Sequence, residues 1–160
     1  MRFGKKEIRL LAVCNGKSIP LSEFPDEAFA AGMLGEGVAI EPSDGHFYAP
    51  LDGRVLSVAK AGHAYTLTSE GGLDVLIHIG VDTVSMGGDG FSPSVREGDR
   101  VRAGDLLCTA DLARISSRGL STLTATVIAN PEQIKDTEYR YTTVTAATDA
   151  MMKFRLREKG

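Results

Sequence analysis

Apolar residues fall along this chain in short runs, and glycine-containing turn signals cut between them. The runs at 37–41, 54–59, 64–69, 73–79, 105–110 and 122–129 each have the length of a strand. Between them stand Ser43-Asp44-Gly45, Asp52-Gly53, Glu70-Gly71-Gly72, Glu97-Gly98-Asp99 and Ala103-Gly104-Asp105, all sequences that favour tight reversals. Threonine and valine enrichment over 121–128 and 142–147 suits pleated, half-buried backbone. Many short strands at this spacing predict an all-β domain, an antiparallel β-sandwich or barrel.

Helix signals are few. Asp111 is placed to cap a short helix through Ser117 that stops near Gly119. Residues 22–32 have room for one turn after Pro25, with Gly32 as the stop. No linker, repeat or low-complexity segment interrupts the chain, and 160 residues suit a single domain.

Composition narrows the function. A net charge of −3 lacks the clustered cations that a nucleic-acid backbone attracts. Arg2, Lys5, Lys6 and Arg9 make only the first residues locally basic, too little for a membrane anchor. No apolar run reaches the ~18 residues of a membrane span, and the apolar stretch before Cys14 is shorter than a signal-peptide core of ~7 to 15. A cytoplasmic location is expected. Cys14 and Cys108 stand far apart in apolar surroundings and read as buried small hydrophobes, neither a disulfide framework nor a zinc motif.

Of three histidines, His63 and His78 lie on either side of the turn signal Ser69-Glu70-Gly71-Gly72. If Glu70-Gly71 forms a two-residue loop, the two histidines stand directly opposite each other, sharing a face with Tyr65, Leu67, Asp74 and Leu76. A three-residue loop would change the facing and break that argument. Adjacent imidazoles can bind a metal, run acid–base chemistry, or pair a nucleophile with a group that steadies charge. His46 follows a turn with no such partner and reads as a surface residue.

The segment from Gly72 to Val84, with Ile77-His78-Ile79-Gly80-Val81-Asp82-Thr83-Val84 at its end, closely resembles the active-site signature of the glucose family of enzyme IIA domains. Gly88-Asp89-Gly90-Phe91, Glu97-Gly98-Asp99-Arg100-Val101, Phe24-Pro25-Asp26, Gly37-Val38-Ala39-Ile40, Ala49-Pro50-Leu51-Asp52-Gly53 and Gly62-His63-Ala64 are similar too. The match runs from about residue 12 to 157, so residues 1–11 are expected as an N-terminal extension and 12–160 as the IIA domain. The resemblance implies a β-sandwich and a phosphoryl carrier of the sugar phosphotransferase system. It implies His78 as the phosphoryl acceptor and His63 as the neighbour that binds the phosphoryl oxygens. Its implied partners are HPr as donor and an enzyme IIB domain of a sugar permease as acceptor, with membrane contact only through that permease and no cofactor. Asp26 and Asp82 match family carboxylates near the site. Phe29, Met33 and Val38, with Phe24 and Leu34, are expected to rim an apolar partner-binding patch.

Two departures from the pattern stand out. Ala61 replaces a threonine whose hydroxyl helps to orient the imidazoles in many members, and Ala125 replaces a frequent proline. Three alternatives belong beside the carrier: zinc held at His63 and His78 with a further ligand, a regulatory binding module without transfer, and a swinging-arm carrier modified on Lys153.

Overall fold

A computed structural model describes residues 6–158. In chain order the strands are β1 (Ile8–Leu11), β2 (Gly16–Pro20), β3 (Glu36–Pro42), β4 (His46–Tyr48), β5 (Gly53–Val58), β6 (Ala64–Ser69) and β7 (Asp74–Ile79). They continue with β8 (Phe91–Pro93), β9 (Arg100–Val101), β10 (Leu106–Ala110), β11 (Thr124–Ile128), β12 (Ile134–Tyr139), β13 (Thr143–Val144) and β14 (Ala150–Leu156). Every pairing is antiparallel. An eight-stranded sheet in the order β13-β2-β3-β11-β7-β6-β5-β9 is joined by two three-stranded sheets, β4-β10-β8 and β1-β14-β12. All six strand runs expected from the sequence are strands here, with ends shifted by one or two residues at most.

The main core packs one face of the large sheet against the two smaller ones. Tyr65, Leu67, Val75, Ile77 and Ile79 from β6 and β7 meet Phe47, Leu107, Met151 and Phe154, all essentially without exposure. Both cysteines lie in this core as free thiols, and burial, the main cause for each, pushes the Cys108 thiol up to about 12. β1 belongs to the folded unit, because Leu10 is buried opposite Met152 of β14. The segment expected as an N-terminal extension therefore supplies a strand. Lys153, the swinging-arm candidate, lies inside β14 opposite Arg9 and Glu138, not at the tip of a hairpin.

The other face of the large sheet is covered only in part. A 3-10 turn at Leu21–Glu23 and the short helix α1 (Glu27–Ala30) pack Leu21, Phe24 and Phe29 onto Ala39, Ala125 and Val127. Asp26 caps α1 by accepting from the Ala28 N–H at 3.0 Å, and Gly32 ends the segment with φ of +74°. A second helix, α2 (Leu112–Ser117), is capped by Asp111, which accepts from the Arg114 N–H at 3.1 Å. Both helical turns expected from the sequence are present. What α1 leaves bare is the outer surface of β7, β6 and β5, and there the histidines stand.

Candidate active site

Strand alternation settles which residues of β7 face outward. Val75, Ile77 and Ile79 are buried in the main core, so Asp74, Leu76 and His78 point to the outer face. The β6–β7 hairpin is closed by three residues, Glu70 to Gly72, and Ser69 donates its N–H to Leu73 at 2.8 Å. His78 consequently lies opposite Ala64, and the two-residue loop expected from the sequence is not formed. Tyr65 and Leu67 belong to the core face, and Thr66 and Thr68 take their expected places beside Leu76 and Asp74.

His63 still meets His78, by another route. It is the last residue of the loop between β5 and β6, and its carbonyl accepts from the Ile79 N–H at 2.8 Å. Regular alternation would put its side chain on the core face with Tyr65. Gly62, at φ of +76°, turns the chain just before it, a conformation that L side chains rarely adopt. The imidazoles end with ring centroids 5.1 Å apart and nearly perpendicular, at 83°.

His78 is anchored by its own turn. Its Nδ1 lies 2.9 Å from the carbonyl oxygen of Gly80. A carbonyl only accepts, so Nδ1 carries the proton and Nε2 keeps its lone pair. Gly80 has φ of +76°, and a Cβ there would fall 2.4 Å from Thr83 Cγ2, so glycine is required where the turn brings this carbonyl back to the ring. Thr83, buried, donates its hydroxyl to the Ile79 carbonyl and braces the same turn. Phe29 packs on the His78 ring at 5.3 Å and Phe24 at 6.3 Å, while Phe91 flanks His63 at 6.5 Å. The loop before Phe91 is tied to α2, because Asp89 accepts from Arg114 Nε at 3.0 Å and Arg118 Nη2 at 2.8 Å.

Burial is the main force on both histidines and holds each below the usual range. For His63 the charge of His78 adds to it. For His78 the Gly80 carbonyl, then the carboxylates of Asp26 and Asp82, oppose it. Both rings are thus neutral near pH 7, and the field of two carboxylates favours positive charge appearing on His78. His63 Nδ1 is buried and has no hydrogen-bond partner among the described residues.

The expected partner-binding residues divide. Phe29 is buried against His78, and Asp26 spends one carboxylate oxygen on capping α1. Asp82 is exposed in the left-handed conformation (φ of 60°), its carbonyl accepting from Ser85 and its side chain making no cap. Met33 is 75% exposed, and Val84, not singled out in the sequence, is 61% exposed beside the site's own turn. Val38 does not belong to this patch. It is fully buried in the main core, because alternation along β3 sends Ala39 outward and Val38 inward. Gly80 and Phe91 were missed as contacts of the histidines. The His-x-Gly spacing carries a signal for Gly80, and Phe91 stands in the family-like segment Gly88-Asp89-Gly90-Phe91, which by itself does not pair it with His63.

Among the described residues no group of three or more His, Cys, Asp or Glu is arranged to hold a metal ion, so a metal at the pair would need a further ligand from outside. No helix among them is long and apolar enough to cross a membrane.

Nearly the whole chain is similar to sugar phosphotransferase components. The sequence model of the family described as "phosphoenolpyruvate-dependent sugar phosphotransferase system, EIIA 1" matches residues 8–134. A PTS system glucose-specific EIIA component of Oceanobacillus iheyensis is 39% identical over 149 residues, covering 92% of this chain and 90% of that protein. A PTS system glucose-specific EIICBA component of Streptococcus pneumoniae is 41% identical over 145 residues, covering 91% of this chain but only 20% of that longer protein. Among solved structures, the glucose permease IIA from Mycoplasma capricolum superposes with a TM-score of 0.89 at 34% identity, covering 96% of this chain and 99% of that one.

Proposed function

Because this chain belongs to the EIIA 1 family of the phosphoenolpyruvate-dependent sugar phosphotransferase system, we propose that it carries a phosphoryl group on Nε2 of His78, taken from phospho-HPr and passed to an enzyme IIB domain of a sugar permease. The observation that carries the reading is the pairing of His78, its Nδ1 tied to Gly80 at 2.9 Å, with a second imidazole 5.1 Å away. In the acceptor step the Nε2 lone pair of neutral His78 attacks the donor's phosphorus. The donor N–P bond breaks, and its electron pair returns to the donor imidazole. His78 keeps its Nδ1 proton and becomes a phosphorylated ring with positive character, which Asp26 and Asp82 favour.

Phosphoryl transfer asks chiefly for alignment and charge stabilisation around a loose transition state. Alignment comes from the Gly80 bond and from the packing of Phe29. His63 can present an Nε2–H donor to the phosphoryl oxygens, since the buried nitrogen of its ring is Nδ1. Exposed Met33, Leu34 and Val84 offer apolar surface for a partner that excludes water on docking. The chemistry requires no cofactor. An enzyme IIB partner is supported by relatives in which the EIIA part shares a chain with EIIB and EIIC parts. A cytoplasmic location follows from the same reading, since the donor and acceptor steps belong there.

The test is transfer from phosphoenolpyruvate through enzyme I and HPr. Acid-labile, base-stable label should appear on the wild type and on His63→Ala but not on His78→Ala. Absence of label on folded wild type would sink the carrier reading and leave a binding module in its place.

A further inference from the structure

Far from the histidines, the outer face of the large sheet carries a second chemical feature. Arg54 of β5 lies directly opposite Arg100 of β9. Val101 next to it is buried, at 3% exposure, so Arg100 and Arg102 both project to the outer side. The three arginines line one groove of about 630 Å³ with Leu56, Asp52 and Glu70. Leu56 is 53% exposed there and forms an apolar wall of the groove.

The guanidinium groups of this groove are not paired within it. Among the described residues Arg100 and Arg102 form no ion pair, and Arg54 donates Nη1 only to the Gly98 carbonyl at 3.0 Å. Asp52 accepts from the Ala103 N–H, Asp99 from the Arg96 N–H and Asp105 from the Arg102 N–H, each at 2.8 Å. Each of these carboxylates keeps its charge, but among the described residues neither they nor Glu70 lie within ion-pairing distance of Arg54, Arg100 or Arg102. Cations often guard an edge strand such as β9 against mispairing. That accounts for Arg100 and Arg102 but not for Arg54, one strand further in. Like charges directly opposed across a ladder repel unless an anion stands between them.

We propose that this groove binds a small phosphorylated anion, its phosphate held between the forks of Arg54, Arg100 and Arg102 and its organic part against Leu56. Guanidinium is the side chain best shaped for bidentate contact with phosphate oxygens. The volume lies within the range of small-molecule sites. From strand spacing and rise, Arg100 is ~20 Å from His78 across the sheet, so the site is separate from the histidine pair.

The test titrates isotopically labelled protein with glucose 6-phosphate at low salt, with glucose and inorganic phosphate as parallel arms. We expect saturable amide shifts at 53–54, 68–70 and 98–102 with glucose 6-phosphate. Glucose should give none, and salt should attenuate the response. Shifts of equal affinity with inorganic phosphate would keep the anion site and remove the role of Leu56. In the Arg100→Gln, Arg102→Gln double variant affinity should fall at least about tenfold. The same variant should melt no lower than wild type in phosphate-free, low-salt buffer, because the repulsion is relieved. The proposal is overturned by any of three results: no saturation by about 10 mM, unchanged affinity in the folded variant, or shifts confined to residues around 63 and 78.

Discussion

The Nδ1 proton of His78 is held by the Gly80 carbonyl at 2.9 Å, and that one bond decides which nitrogen is free to react. The other nitrogen, Nε2, points away from the backbone turn and toward the face that carries His63. Phosphohistidine formed on this protein should therefore be the Nε2 isomer, with the Nδ1 proton retained. Nitrogen-15 and phosphorus-31 spectra of the phosphorylated protein distinguish the isomers. Phosphate found on Nδ1 would require the Gly80 bond to break and would refute the assignment.

The same burial that keeps His78 neutral makes the fold sensitive to acid. Both His63 and His78 have their folded-state pKa depressed, chiefly by desolvation. Below the unfolded value of about 6.5 the unfolded chain binds protons on these rings before the folded chain does. Their contribution to stability is thus complete above that pH and is lost as pH falls toward the depressed values. The wild type should lose more melting temperature between pH 7.5 and 5 than a His63→Gln, His78→Gln variant loses. Equal losses in both proteins would mean that neither ring is protected from protonation.

The strand runs and the two helical turns were legible because local chemistry fixes them: turn residues bound each strand, Asp111 caps as expected, and Gly32 stops the turn after Pro25. The histidine pair was legible too, but for a reason the register argument did not contain. The hairpin closes over three residues and places Ala64, not His63, opposite His78. A loop of Glu and two glycines is compatible with either length, and only the tertiary fit selects one. The inward turn of Val38 was hidden for a related reason. β3 is covered on both faces, so Val38, Ala39 and Ile40 read as one continuous apolar run with no polar residue to mark the outside.

Gly62, rather than the strand register, sets the histidines side by side, and this is open to a direct test. An alanine there would have to hold φ near +76°, with its Cβ 3.2 Å from Pro93 Cγ and 3.3 Å from Phe91 Cβ. The backbone cost is roughly 1–2 kcal/mol, enough to lower the melting temperature of a domain this size by several degrees. Gly62→Ala should still accept label on His78 at a temperature where it is folded. Onward transfer should fall by more than the same loss of stability causes elsewhere, since the neighbouring His63 is displaced. A variant that melts lower but transfers at the wild-type rate would show that the position of His63 is set elsewhere.

The last prediction concerns the buried Nδ1 of His63, which has no partner among the described residues. A buried polar atom without a hydrogen bond costs on the order of 1–3 kcal/mol, and a ring free at one end is also free to rotate away from the phosphoryl group. Ala61, two residues earlier in the same loop, offers no hydroxyl where the resembled pattern places threonine. Ala61→Thr should supply a donor to Nδ1 and leave Nε2–H directed at the phosphoryl oxygens. A gain of ~1 kcal/mol in the transfer step corresponds to about a fivefold faster rate. The nitrogen-15 shift of His63 Nδ1 should move toward that of a hydrogen-bonded acceptor, while His78 keeps its bond to Gly80. Ala61→Val, similar in shape but without the hydroxyl, should reproduce neither change. If valine accelerates transfer as threonine does, the benefit is packing against the loop, and the unpartnered nitrogen is not what limits this protein.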